Sequence, residues 1–175
     1  MHKLLIPVLA FLCAVAMQAQ TSDAPRSRSY EEVFYSSGNL KIEAYVFKPQ
    51  GNGPFPVVIY NHGSRPGNER VERPFAYVGK MLASGGYLVV VPERRGYGRS
   101  GGSPFSEEIG ADRGPRYIAR LQQEADDVVA AAQFAKTLPE TDASRIAVMI
   151  FSAEGIQVWD GDLQNFLARE MGAPK

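Results

Sequence analysis

Pro56-Val-Val-Ile-Tyr-Asn-His-Gly-Ser64 decides how this chain is read. Its first half is apolar at every alternate position on both faces and rich in β-branched residues, so it belongs to a strand covered on two sides. Its second half, Asn61-His-Gly-Ser64, changes character at once into turn-forming residues, which places backbone N–H groups at the rim of a sheet. Two further stretches repeat the design. Tyr87 to Val91 runs into Pro92-Glu-Arg-Arg-Gly-Tyr-Gly-Arg-Ser-Gly-Gly102, and Arg145 to Met149 runs into Ile150-Phe-Ser-Ala-Glu-Gly155.

Between these strands the pattern is helical. Pro74 to Ser84 carries Phe75, Val78 and Leu82 at amphipathic spacing and is closed by Gly85-Gly86. A strand, helix, strand succession predicts a right-handed crossover with parallel strands. Tyr117 to Leu138 puts Leu121, Ala125, Val128, Val129, Ala132 and Leu138 on one face and is stopped by Pro139. Leu163, Phe166, Leu167 and Met171 space a last amphipathic helix ended by Gly172. Ahead of the central strand, Glu31 to Ser37 and Leu40 to Lys48 alternate as two antiparallel strands joined across Ser37-Gly38-Asn39. Ser103 to Arg116 has no period and reads as loop, and Thr141 to Arg145 reads as a turn into the last strand.

With 175 residues, 45% hydrophobic content and zero formal net charge, the chain has material for one globular domain. Neutrality argues against a nucleic-acid partner, which requires a clustered cationic face. Arg94, Arg95 and Arg99 are the densest basic group and read as loop-bracing residues. The short basic start Met1-His-Lys3, the apolar Leu4 to Ala16 and the small residues up to Ala19 make residues 1–19 a secretory signal peptide, so the product is expected to be secreted or periplasmic. About 13 apolar residues broken by Pro7 fall short of the roughly 20 a membrane span needs, so no stable span is expected after removal of the signal. Residues 20–29 are a polar, disordered lead-in, and 30–175 form the single domain. The one cysteine, Cys13, lies inside the signal, leaving no disulfide.

Three signatures occur in a telling order: Tyr60-Asn-His-Gly-Ser64, Gly86-Tyr-Leu-Val-Val-Val-Pro-Glu-Arg-Arg-Gly-Tyr-Gly-Arg-Ser100, and Asp142-Ala-Ser-Arg-Ile-Ala-Val-Met149. Over about Glu31 to Ala153 the chain resembles the dienelactone hydrolase and prolyl-oligopeptidase branch of the α/β-hydrolases. The resemblance implies an α/β chain with a partial α/β-hydrolase fold: a mostly parallel sheet of about five strands with three flanking helices. It implies serine-dependent cleavage of an ester, lactone or peptide-type acyl bond in a small-molecule substrate, without a cofactor. In that chemistry a serine on a strand-to-helix turn attacks a carbonyl, a histidine takes its proton and an acid orients the histidine.

By position, Ser152 is the candidate nucleophile, and the amides of Gly63, Ser64 and Ala153 are the candidate oxyanion-hole donors. The surroundings depart from the family pattern. Where Gly-x-Ser-x-Gly is expected, the chain reads Ile150-Phe-Ser-Ala-Glu154, and branched Ile and charged Glu crowd a turn that glycines normally open. No histidine follows Ser152. His62, the one histidine outside the signal, sits on the oxyanion loop and reads as a brace there, without the companions a zinc site needs. The segment Gly155 to Arg169 resembles the closing helix of these enzymes, so the chain is read as truncated or internally deleted, passing straight from the nucleophile strand to that helix with the acid and histidine absent. The resulting expectation is a catalytically impaired serine-hydrolase-like protein. The alternative is a non-catalytic remnant or binding module. Gly96-Tyr-Gly-Arg-Ser-Gly101 also matches the Gly-x-Gly-x-x-Gly nucleotide fingerprint, but it stands four residues beyond its strand with no apolar helix after it, and it is read as a hydrolase loop.

Overall fold

The computed structural model describes residues 28–150 and 160–174. The expected signal peptide, most of the expected lead-in, and Ser152 with Ala153 lie outside the described residues. Among the described residues, five strands and four helices follow one another as β1 (Glu31–Ser37), β2 (Leu40–Phe47), β3 (Phe55–Asn61), α1 (Ala76–Ser84), β4 (Leu88–Glu93), α2 (Phe105–Glu108), α3 (Pro115–Ala135), β5 (Thr141–Ile150) and α4 (Asp160–Met171). They form one sheet in the order β1-β2-β4-β3-β5. The β1–β2 hairpin and the β2–β4 pair are antiparallel, whereas β4, β3 and β5 run parallel through the centre and far edge, with Ile59 opposite Val90 and Val148.

Every residue of β3 and β4 is buried, as their unbroken apolar runs predict. The two-residue period sends their side chains into two separate cores. Val57, Ile59, Leu88 and Val90 pack under α3 with Ala131 and Ala135. Val58, Tyr60, Val89 and Val91 face the other way, onto Val78 and Leu82 of α1 and Leu167 of α4. Helices on both faces are thus what make a doubly apolar strand stable.

Three expectations need correction. The stretch 103–116 holds the single turn of α2, and α3 already starts at Pro115, where a missing N–H costs nothing at a first helical position. The last strand begins at Thr141 and not after Arg145, because the Phe55 amide donates to the Glu140 carbonyl at 2.7 Å and Thr141 pairs with Phe55 across a register shift. The inward face of α3 is only partly the predicted one, with Ala132, and Leu138 beyond its end, packed against the core as expected. Arg120, Glu124, Asp127, Ala131 and Ala135 are buried, while Leu121 and Val129 stay 41% and 56% exposed. Ion pairs to loops distant in sequence hold the polar half of that face inside.

Gly79 shows how closely α1 is seated. A Cβ there would lie 2.4 Å from the fully buried ring of Phe47. Gly79→Ala would gain about 1 kcal/mol of helix propensity. Overpacking against a ring with no room costs about 1–3 kcal/mol. Urea unfolding should therefore show Gly79→Ala to be less stable than the parent, and a stabilised variant would contradict this packing.

Candidate active site

The parallel strands deliver three segments to one edge of the sheet. Beyond β3 comes His62-Gly-Ser64, beyond β4 comes Arg94 to Gly102, and β5 ends at Ile150, which lies directly opposite Asn61. The chain therefore leaves β5 beside the loop that begins at His62.

His62 is 1% exposed. Its Nδ1 lies 2.7 Å from the Gly63 carbonyl. A carbonyl only accepts, so Nδ1 carries the proton. Its Nε2 stands 3.4 Å from Glu93 Oε2, without the geometry of a hydrogen bond. The ring stacks on Phe75 at 5.5 Å and meets Tyr97 edge-on at 4.9 Å. Burial, reinforced by the Arg94 charge, holds the imidazole below its ordinary value of 6.5, against the opposing pull of Glu93 and the Gly63 carbonyl. His62 is thus a neutral, enclosed brace, which agrees with its place on the loop. Phe75 adopts φ 47°, an outlier for a bulky residue, and is held there between the rings of His62 and Tyr60.

Glu93, the last residue of β4, is fully buried and collects the loop from both ends. Its Oε2 accepts from Arg65 Nη2, and its Oε1 accepts from the Arg73 amide. Arg65 also lies over the rings of Phe75 and Tyr97. The following arginines brace neighbouring segments. Arg94 donates to Glu124 at 2.7 Å and to the Gly63 carbonyl at 3.1 Å. Arg95 grips Asp127 through Nε and Nη2, each at 2.8 Å. Arg120, 1% exposed, reaches from α3 to the carbonyls of Arg95 and Ser103 and to Glu108 and Glu124. Arg99 pairs with the buried Glu43 through its amide at 2.7 Å and its guanidinium at 2.8 Å. Burial raises the Glu43 carboxyl, and the hydrogen bonds from the Arg99 amide and the Tyr45 hydroxyl oppose the rise.

The Gly96-x-Gly98-x-x-Gly101 loop is consumed by the same packing. Its glycine amides donate to the carbonyls of Gly101, Glu69 and Lys41 respectively, at 2.7–2.8 Å. At Gly98, with φ 49°, a Cβ would sit 2.7 Å from Glu43 Oε2. These amides are turned inward, in contrast to the Gly63 and Ser64 amides, which have no acceptor among the described residues.

The structure places Gly63 and Ser64 just beyond the end of β3, while Ser152 and Ala153 fall outside the described residues. Sequence reasoning missed Glu93, Glu124, Asp127 and Arg120. A charged residue closing a wholly apolar strand, and three charges at positions 120, 124 and 127 on one helix face, were the available signals.

Residues 37–165 match the family of X-Pro dipeptidyl-peptidases, family S15. The chain belongs to that family. It is 26% identical over 117 residues to the quorum-quenching protein AidA of Acinetobacter baumannii (strain MDR-ZJ06), a match covering 67% of this chain and 34% of that protein. The chain therefore spans about a third of the length of the curated relative it matches. Its fold is shared with Est1E from Butyrivibrio proteoclasticus, solved with ferulic acid bound (TM-score 0.53, 21% identity, 79% of this chain and 49% of that one). It is also shared with the α/β-hydrolase GrgF from Penicillium sp. sh18 (TM-score 0.52, 21% identity, 70% and 37%). The α/β-hydrolase expectation stands, and the matched part corresponds to less than half of each solved relative.

Truncating Glu93 to Ala leaves Arg65 and the Arg73 amide without their buried acceptor, which should lower unfolding free energy by about 3–5 kcal/mol. A urea midpoint within error of the parent would show that Glu93 does not hold the loop. Because the folded imidazole of His62 titrates below its unfolded value, the native state binds fewer protons in that interval. Its contribution to stability is present above the unfolded value of 6.5 and is lost as pH falls through the folded one. An NMR imidazole titration of the folded chain should give a midpoint below 6.5, and a midpoint above it would contradict the enclosure.

Proposed function

We propose that this chain carries the oxyanion side of a serine-hydrolase site for ester, lactone or peptide-type acyl bonds. Ser152 would be the nucleophile, and the amides of Gly63, Ser64 and Ala153 would hold the negative charge of the tetrahedral oxygen. The observation that supports this most is the Gly63–Ser64 peptide. It sits at the end of β3 with its carbonyl held from behind and its amide without an acceptor among the described residues. The pairing of Asn61 with Ile150 supports it further, since the chain leaves β5 two residues before Ser152.

Among the described residues no histidine is placed to serve that serine as base. His62 is the only histidine beyond His2, and its ring is buried, neutral and committed to the Gly63 carbonyl. Acyl transfer by this chain would accordingly be slow, since loss of the base removes orders of magnitude of rate even when oxyanion donors survive. The signal-like residues 1–19 support export of the product to a secreted or periplasmic location.

Treating the purified chain with a fluorophosphonate probe tests the reading. Slow covalent labelling, absent in Ser152→Ala, is expected, with turnover of a chromogenic ester close to the buffer rate. Labelling that persists in Ser152→Ala, or no labelling at all, would favour a non-catalytic binding module.

A further inference from the structure

The direction of the Ser64 N–H follows from the groups that hold the Gly63 carbonyl. In a trans peptide the carbonyl and the following N–H point in opposite directions. The Gly63 carbonyl is held by His62 Nδ1 at 2.7 Å and by Arg94 Nη2 at 3.1 Å, both on the buried side of the loop. The Ser64 N–H, on a residue that is itself exposed, therefore points away from both of these donors. Arg94 is in turn fixed at both ends: its Nη1 donates to Glu124 of α3 at 2.7 Å, and its guanidinium lies 4.9 Å over the Tyr97 ring. Glu124 is buried and is further tied to Arg120 at 3.2 Å. The chain of contact therefore runs from the middle of α3, through Arg94, to one peptide plane.

We propose that Arg94 is a positioning residue that fixes the Ser64 amide as an oxyanion donor by holding the Gly63–Ser64 peptide from behind, with Glu124 as its anchor. The oxyanion part of this statement rests on the serine-hydrolase reading above, whereas the orientation of the peptide does not. A planar guanidinium can hold a carboxylate and a carbonyl at once, and an ammonium on a flexible stem holds them less rigidly.

The test compares the full chain with Arg94→Met, Arg94→Lys and Glu124→Gln by two readouts. Backbone NMR reports the peptide directly. The Gly63 carbonyl carbon and the Ser64 amide nitrogen should shift in Arg94→Met, return part of the way in Arg94→Lys, and shift in the same sense in Glu124→Gln. The resonances of Val58 and Val90 in the sheet should stay in place. Unchanged Gly63 and Ser64 resonances in folded Arg94→Met, or in Glu124→Gln should the former fail to fold, would overturn the proposal. The second readout is phosphonylation of Ser152, for which Arg94→Met should lower the rate of the covalent step about 100-fold while leaving reversible probe binding nearly unchanged. A parent chain that shows the NMR effect but is not labelled refutes the hydrolase reading and leaves the orientation by Arg94 standing. A labelled parent whose Arg94→Met variant reacts at the parental rate refutes the positioning role.

Discussion

Buried carboxylates facing arginines are the interaction on which this structure depends. Glu93, Glu43, Glu124 and Asp127 are all buried, and each is met by a guanidinium from a loop that follows β3 or β4: Arg65 after β3, and Arg99, Arg94 and Arg95 after β4. An isolated charge at such depth would be prohibitively costly, so each carboxylate imposes a partner and each partner imposes a loop conformation. The strands supply the platform through ordinary apolar burial. The segments beyond them, where chemistry would occur, are shaped by charge.

This division explains why two loops of similar composition behave differently. After β4, Gly96, Gly98 and Gly101 turn their amides inward to backbone carbonyls, and Arg99 and Ser100 dock on β2 through Glu43: the Ser100 hydroxyl accepts from the Glu43 amide and donates to the Glu93 carbonyl. After β3, the Gly63 carbonyl is the group turned inward, and the adjacent amide is left facing out. The first loop spends its amides internally, and the second leaves the Gly63 and Ser64 amides without an acceptor among the described residues. Buried ion pairs of this kind contribute little net stability compared with apolar packing, but they specify one arrangement where apolar contacts would tolerate several. Specification is what an electrostatic site requires, because donors act only when aimed before charge develops.

Much of the fold was legible because β3 and β4 are long, β-branched and apolar on both faces, which leaves only a two-sided sheet. The hairpin of β1 and β2 and the helix after β3 followed from period and glycine placement. The inward face of α3 was only partly legible. Hydropathy favours the stripe through Leu121 and Val128, whereas burial of Arg120, Glu124 and Asp127 is decided by residues 94, 95 and 108, which no local window sees. The single turn of α2 is too short to show a period, and the start of β5 depends on a backbone bond from Phe55. The turn chemistry of Asn61 to Ser64 marked where β3 ends and its loop begins. The carboxylate that fixes it stood in plain view as Glu93, but its role emerges only when Arg65 and Arg73 fold back over it.

The central claim is that these loops are as firmly held as the strands they follow. Native-state hydrogen exchange of the Gly96, Gly98 and Gly101 amides, compared with Val90 in β4, measures it most directly. If buried carboxylates fix the loop, the three glycine amides exchange only with opening of the whole domain, and their protection equals that of Val90 to within about tenfold. Exchange of those amides at the rates of an open loop, with Val90 still protected, would contradict the account.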